Sequence, residues 1–318
     1  MIRFRAFRNG DPPALASLWN RCLPGRAVVR PLNPHEFDAL VIGRIDFDAP
    51  GLIVAEEDGA VVGFAHAGFG PAAPVGPGHG LDRELGTVAM LVVEPGRVDV
   101  GLGLIVEAEA YLRARGAKVF YAGGQHPLDP FYRGIYGGSE SPGILETHGD
   151  FRTVAVESGY RPASTVVLLD ADITGLEARD PRAALLRRQA RVEVVEEARP
   201  IGWWEALALG HSQISRFRLV AKADDAELAR ASAWDMAAFG RLDGKARTGL
   251  YDVEVAPAHR RKGYGRHLVT EILRQVKGQW GEVVSVQTPA TNLAALGLYL
   301  SIGFEPVGAA ILYRKPGP

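Results

Sequence analysis

One stretch constrains this chain more than any other. In Val253-Glu254-Val255-Ala256-Pro257-Ala258-His259-Arg260-Arg261-Lys262-Gly263-Tyr264-Gly265-Arg266, an apolar strand passes through a basic, glycine-punctuated turn into a helix. A helix start leaves backbone N–H groups without partners, and their aligned dipoles favour an anion, so a phosphate can sit there on main-chain donors. Glycines at 263 and 265 accept positive φ and clear the space in front of those amides. Arg260, Arg261, Lys262 and Arg266 surround the same place with positive charge, which makes the turn a receptor for a pyrophosphate.

The flanks put this turn between the right elements. Leu250 to Ala256 is β-rich and stopped by Pro257; Leu268, Val269, Ile272, Leu273 and Val276 then share one helical face before Gly278 closes it. Two competing phosphate loops do not fit. The third glycine of a dinucleotide G-x-G-x-x-G is Leu268 here, and a Walker loop needs G-x-x-x-x-G-K-[ST].

Arg260-x-x-Gly263-x-Gly265 matches the R/Q-x-x-G-x-G/A acyl-CoA signature of the GNAT N-acetyltransferase superfamily. Asn292, Ala295, Leu298, Tyr299, Gly303 and Phe304 resemble that family's N-x-x-A-x-x-L-Y-x-x-x-G-F segment. The resemblance implies acetyl-CoA as acyl donor, with its pyrophosphate on the amides from Arg261 through Lys262, Gly263, Tyr264 and Gly265 to Arg266. It also implies that the strand edge from Val253 to Val255 pairs with the pantetheine arm, that Asn292 contacts the cofactor, and that Tyr299 is the acid. A phenol beside the sulfur can protonate a thiolate as an amine displaces it. Without the motif, Tyr299 would read as a core residue of an amphipathic helix.

An ammonium must lose its proton before it attacks, so a base is needed. Strand alternation puts Asp252 and Glu254 on one face, with Glu254 as the first choice and the other carboxylate orienting or tuning it. A solvated, ion-paired Glu254 is the competing reading. His211 and His259 are reserve bases.

At 318 residues with 47% hydrophobic content, the chain has apolar material for two ordinary cores. We read an α/β (α+β) chain of two tandem domains, each a mixed central sheet flanked by helices: residues 1–170, a linker 171–190 containing Asp180-Pro181, and residues 191–318. The C-terminal unit runs through strand 191–195, a helix at 203–209, strands near 217–221 and 228–233, the phosphate strand and helix, strand 283–287, the tyrosine helix and strand 309–313. The first half repeats the plan. A hairpin turns at Asp58-Gly59, a strand 87–94 precedes a helix 102–115, a strand spans 118–122, Phe151 to Tyr160 echoes the segment before Gly303-Phe304, and 165–169 echoes the last strand. The layout is similar to that of mycothiol synthases, whose working half is C-terminal.

The first half's phosphate turn departs from the pattern. Gly101-Leu102-Gly103 keeps the glycines, but Val98 replaces the basic residue and Asp99 brings a negative charge, repulsive to a diphosphate by on the order of a few kcal/mol when desolvated. This half is expected to bind acyl-CoA poorly or not at all. Tyr132 and Tyr136, in a glycine-rich segment, suit either a ligand cleft or, more often, a packed loop. Trp203, Trp204 and Trp234 suit either an acceptor pocket between the domains or core packing.

Charge and cysteine usage bound the partners. The first 170 residues carry 15 basic and 20 acidic residues and the rest 21 and 17, so the balance moves from −5 to +4. That suits a polyanionic cofactor and lacks the dense basic face of a nucleic-acid binder. Scattered histidines and one cysteine, Cys22, predict no metal and no internal disulfide. With no leader and no apolar run of the roughly 18 to 20 residues needed to span a bilayer, a cytoplasmic protein without a membrane partner is expected. The function implied is transfer of acetyl from acetyl-CoA to a primary amine in a ternary complex. A polyamine, amino acid, aminoglycoside, protein N-terminus or lysine are all open as acceptor. The alternative is a non-catalytic acyl-CoA-binding or scaffold protein.

Overall fold

The computed structural model describes residues 1–316 apart from 24, 26–27, 30, 74–77, 129–130, 176–181 and 237–243. The expected Asp180-Pro181 of the linker therefore lies outside the described residues. The N-terminal half runs β1 (Ile2–Ala6), α1 (Pro12–Cys22), α2 (Pro34–Phe37), β2 (Leu52–Glu57), β3 (Ala60–Pro71), β4 (Leu81–Val93), α3 (Val98–Ala114), β5 (Val119–Ala122), β6 (Ile144–Leu145), α4 (Gly149–Glu157) and β7 (Arg161–Asp172). The C-terminal half follows with α5 (Ala183–Gln189), β8 (Ala190–Val195), α6 (Trp203–Leu209), β9 (Ile214–Ala221), β10 (Glu227–Asp235), β11 (Arg247–Val255), α7 (Tyr264–Gly278), β12 (Val283–Pro289), α8 (Leu293–Ile302) and β13 (Glu305–Pro316). The two halves are the two tandem units that the sequence implies.

All the strands join one sheet in the order β1-β2-β3-β4-β5-β13-β7-β12-β11-β10-β9-β8, with β6 beside β13. Read from either edge the plan is the same, and the two halves exchange their last strands. β13, the end of the second half, lies against β5 of the first, with Tyr313 opposite Ala122. β7, the end of the first half, lies against β12 of the second, with Val283 opposite Asp172. The exchanged strands pair with each other antiparallel from Glu305↔Asp170 to Arg314↔Arg161.

Helices cover the sheet in two layers. α3 and α4 close an N-terminal core around Leu91, Leu104, Phe120 and Phe151, and α7 and α8 close a C-terminal core around Leu250, Leu268, Ile272 and Phe304. α7 presents Leu268, Val269, Ile272, Leu273 and Val276 to the sheet, each contributing about 1.5–3 kcal/mol on full burial. A third cluster joins Trp19, Tyr132 and Tyr136 of the first half to Leu209, Trp234 and Tyr251 of the second, so the halves share a core. No helix among the described residues is long and apolar enough to cross a membrane.

One expected boundary moves. The helix anticipated at 102–115 starts at Val98, because the residues after Pro95-Gly96 wind directly into it. Gly101-Leu102-Gly103 thus lies inside α3 and not in a turn ahead of it.

Candidate active site

The site is built where two parallel strands part. β11 and β12 pair only at Arg247↔Val283, Thr248↔Val284 and Gly249↔Ser285, after which they diverge. On its other side β11 slips register against β10 between Tyr251 and Glu254, and Asp252 adopts φ 50. This is a β-bulge, the kind of irregularity that bends a strand and re-aims its side chains. From Leu250 onward the edge of β11 that faces β12 has no strand partner among the described residues, leaving the backbone around Val253 and Val255 open to an extended chain.

The turn beyond it is open as well. The N-cap of α7 is Gly263 at φ 91, and Arg261 is also left-handed at φ 61. His267 N–H reaches the Gly263 carbonyl at 3.0 Å, which leaves the amides from Arg261 to Gly265 without a backbone acceptor among the described residues. A Cβ on Gly263 would come no closer than 3.7 Å to the Arg182 side chain and 3.9 Å to Leu186, and one on Gly265 would touch Val255 at 3.0 Å. Arg261 and Lys262 are exposed around this concavity. Arg260 folds back to donate to the Val255 carbonyl at 3.2 Å, and Arg266 joins α7 to α8 by donating to Ser301 Oγ at 2.8 Å. Arg182, from the start of α5, adds a cation that sequence reasoning missed.

The equivalent place in the first half is filled. Its turn shortens to four residues, Gly101 N–H is spent on the Arg97 carbonyl at 3.1 Å, and Arg97 is bound to Asp99 and Glu57. A Cβ on Gly101 would fall 2.5 Å from Val154 of α4, and one on Gly103 2.1 Å from Phe4 of β1. These glycines serve helix packing. The strand gap is shortened too, since beyond Val88↔Ala122 the amides of Gly123 and Gly124 continue to bond β4 at 2.9 and 3.4 Å.

Tyr299 stands on α8, 4% exposed, its ring 5.4 Å from Phe304. Its hydroxyl makes no hydrogen bond to any of the described residues. Burial, and then the Glu140 carboxylate, push its proton affinity up, so the phenol is fully protonated at neutral pH. Asn292 is the N-cap of α8, accepting from Ala295 N–H at 3.2 Å, and stands exposed at the helix start.

The two candidate carboxylates separate. Alternation would have put Asp252 and Glu254 on one face, but the bulge breaks the alternation between them. Glu254 is exposed and bound to Arg230 on the neighbouring strand at 2.6 Å. Asp252 has neither hydrogen bond nor ion pair among the described residues. It is accessible to solvent, yet its desolvated setting and the nearby Glu140 carboxylate raise its pKa, against the opposing effects of His126 and Arg133. Around it, Glu205 is bound by Arg216 and by the Tyr251 hydroxyl at 2.7 Å. Burial pushes the Glu205 carboxyl up, but these hydrogen bonds outweigh it and hold the group below its ordinary value.

The remaining candidates are placed elsewhere. Burial lowers His211 to about 4, and His259 packs edge-on against Tyr264 at 6.1 Å. Tyr132 and Tyr136 are core residues bonded to His66 at 3.0 Å and His148 at 2.7 Å, which favours the packed-loop reading. Trp204 and Trp234 are buried, and Trp203 packs against Trp204 with its ring 6.4 Å from that of His79.

Residues 184–304 match the model of the acetyltransferase (GNAT) family. No curated protein matches the sequence. Solved structures similar in fold include a GCN5-related glucosamine N-acetyltransferase region of a fungal multi-domain GH3 beta-N-acetylglucosaminidase, at TM-score 0.69 and 15% identity, covering 99% of this chain and 38% of that one. This chain thus spans little more than a third of that relative. A tandem GNAT protein from the clavulanic acid biosynthesis pathway is similar at TM-score 0.64 and 16% identity, covering 100% of this chain and 99% of the other. A GCN5-related N-acetyltransferase from Sphaerobacter thermophilus is similar at TM-score 0.65 and 15% identity, covering 100% and 97%.

Proposed function

We propose that the chain, whose residues 184–304 match the model of the acetyltransferase (GNAT) family within a tandem fold, is an acyltransferase that moves an acetyl group from acetyl-CoA to a primary amine by direct transfer in its C-terminal half. The observation that carries this reading is the coincidence of an open amide-lined turn, Arg261 to Gly265, with the unpaired edge of β11. In this reading residues 1–170 are the unit with the degenerate turn, 171–190 join the units, and 191–318 bind the donor and do the chemistry.

The residues present fit an acyl-CoA. Gly263 and Gly265 leave their amides uncovered, Arg182, Arg260, Arg261, Lys262 and Arg266 supply counter-charge, and the backbone at Val253 and Val255 offers β-type hydrogen bonds. Tyr264 starts the helix, and Asn292 at the start of α8 is the candidate for a further contact to the donor. Acetyl-CoA supplies an activated acyl carbon and a thiol leaving group. Tyr299 holds its proton through neutral pH and can give it to that sulfur. Asp252, without a partner and with a raised pKa, is better placed than the ion-paired Glu254 to take the proton from the incoming ammonium, so the base role passes to Asp252.

Titration of the purified protein with acetyl-CoA in a calorimeter, followed by thiol release over a panel of amines, tests this reading. One site per chain and thiol release with an amine support it; two sites would make the first half a second donor site, and no binding would overturn the assignment.

A further inference from the structure

The segment from Phe131 to Gly143 belongs to the first half by sequence and to the second by contact. Trp234 Nε1–H of β10 donates to the Ser139 carbonyl at 3.0 Å, and Gln287 Nε2–H of β12 donates to the Ser141 carbonyl at 3.4 Å. Gly138, at φ 69, passes so close to β12 that a Cβ there would lie 2.2 Å from Gln287 Oε1. These anchors set Arg133 over Tyr251 of β11, with Glu140 beside it. The Arg133 guanidinium lies 4.9 Å from the centre of the Tyr251 ring, and its Nη2 lies 3.7 Å from Glu140 Oε2. Nη2 is buried and makes no hydrogen bond, so the pair is a loose ion pair and not a clamped one. Tyr251 immediately precedes the bulged Asp252.

We infer that Glu140, carried across the boundary by the first half and set beside the Arg133 that stands over Tyr251, is a positioning residue for Asp252. The inference rests on the reading of Asp252 as the proton acceptor. Asp252 faces charged groups from several elements: His126, Arg133 and Glu140 from the first half, and Glu205 of α6 from the second. Glu205 is already neutralised by Arg216 of β9 and by Tyr251, so its field is muted. His126, lowered to about 4 by burial and then by Arg133, is uncharged at neutral pH. Glu140 is thereby the like charge with the least local compensation. Burial raises its own carboxyl despite Arg133. The first half thus supplies the field that makes the carboxylate of the second half a stronger base.

Carbon-13 resonances of aspartate carboxyls, with Asp252→Asn identifying the right one, give the titration midpoint of Asp252 in the full-length protein without any acceptor. The midpoint in the unaltered protein should lie above the ordinary aspartate value of about 3.9. Glu140→Gln, which keeps the shape and removes the charge, should lower it by about one pH unit. Glu140→Asp should restore most of the difference, and acetyl-CoA affinity should stay within about twofold in both. An unchanged midpoint in Glu140→Gln, or a Glu140→Asp protein that titrates like Glu140→Gln, overturns the inference. Failure of the underlying reading looks different: Asp252→Asn would keep its acetyl-transfer rate while the titration coupling to Glu140 persisted.

Discussion

The same glycine pair occurs in both halves of the chain, and one substitution made in each should have opposite consequences. In the second half Gly263 has φ 91, and a Cβ there would meet nothing closer than 3.7 Å. Gly263→Ala therefore costs only the left-handed backbone strain, about 1–2 kcal/mol, while the new methyl and the relaxing backbone pull amides away from the phosphate. Loss of one charge-assisted hydrogen bond is worth roughly 1.5–3 kcal/mol, or about 10- to 100-fold in acetyl-CoA affinity. In the first half Gly101 lies within a helix, and a Cβ would come 2.5 Å from Cγ2 of the buried, β-branched Val154. Overpacking of about 1–3 kcal/mol, less about 1 kcal/mol gained in helix propensity, makes Gly101→Ala destabilising by about 1 kcal/mol. Its donor affinity should be untouched. Urea unfolding and calorimetric titration with acetyl-CoA read the two quantities separately. A Gly101→Ala protein of normal stability but reduced acetyl-CoA stoichiometry would refute the argument, because it would mean that the first half binds donor through its helix start.

Other consequences are open to direct measurement. Tyr299→Phe should lower kcat by roughly 10²–10⁴-fold with little change in acetyl-CoA affinity, and a loss below about threefold would remove the acid role. Asp252→Asn should abolish most acetyl transfer, whereas Glu254→Gln, which breaks only the exposed pair with Arg230, should change activity little and stability by less than about 1 kcal/mol; the reverse pattern in thiol-release assays would return the base role to Glu254. Because the pKa of Asp252 is raised, the acid limb of the rate profile should fall at a pH above the ordinary carboxylate range, with activity lost as pH drops through it. Stability should respond to acid through other groups. Burial lowers His66 and His148 to about 3, against about 6.5 in the unfolded chain, so the unfolded state binds the extra protons between those values. Stability should therefore fall as pH drops from about 6.5 toward 3, by up to about 1.4 kcal/mol per pH unit for each histidine, and urea midpoints that stay flat from pH 6.5 to 4.5 would contradict this.

Much of the second half could be read from the chain because its signals are local. Pro257 ends β11, Gly263 caps α7, and the spacing from Leu268 to Val276 marks the buried face, so turn, helix and strand fall within a few residues of their expected places. Signals that depend on distant partners could not be read. Nothing in Gly101-Leu102-Gly103 announces that Val154 and Phe4 occupy the space its glycines leave. The bulge at Asp252 carries no glycine or proline to mark it, so strict alternation joined two carboxylates that the backbone parts. Arg182, Arg133 and Glu140 reach the site from other elements and match no motif. The buried runs of β7 and β13 identify strands but not their neighbours, and the exchange between halves was invisible for that reason. Asp11 followed by Pro12-Pro13, with Leu15, Ala16, Leu18 and Trp19 on one side, is a local signal for the start and buried face of α1.

The exchanged strands also set a timetable. β5 of the first half is completed at residue 122, but the strand that must lie beside it begins at residue 305. At synthesis rates of about 5–20 residues per second, the first half waits on the ribosome for about 10–40 s with the flank of β5 uncovered, and β7, once made, has neither of its partners β12 and β13 beside it. Throughout that interval the nascent chain presents sheet edges able to pair with a neighbouring chain on the same message. Provisional pairing of β7 with β5, later displaced by β13, would cover these edges in the meantime.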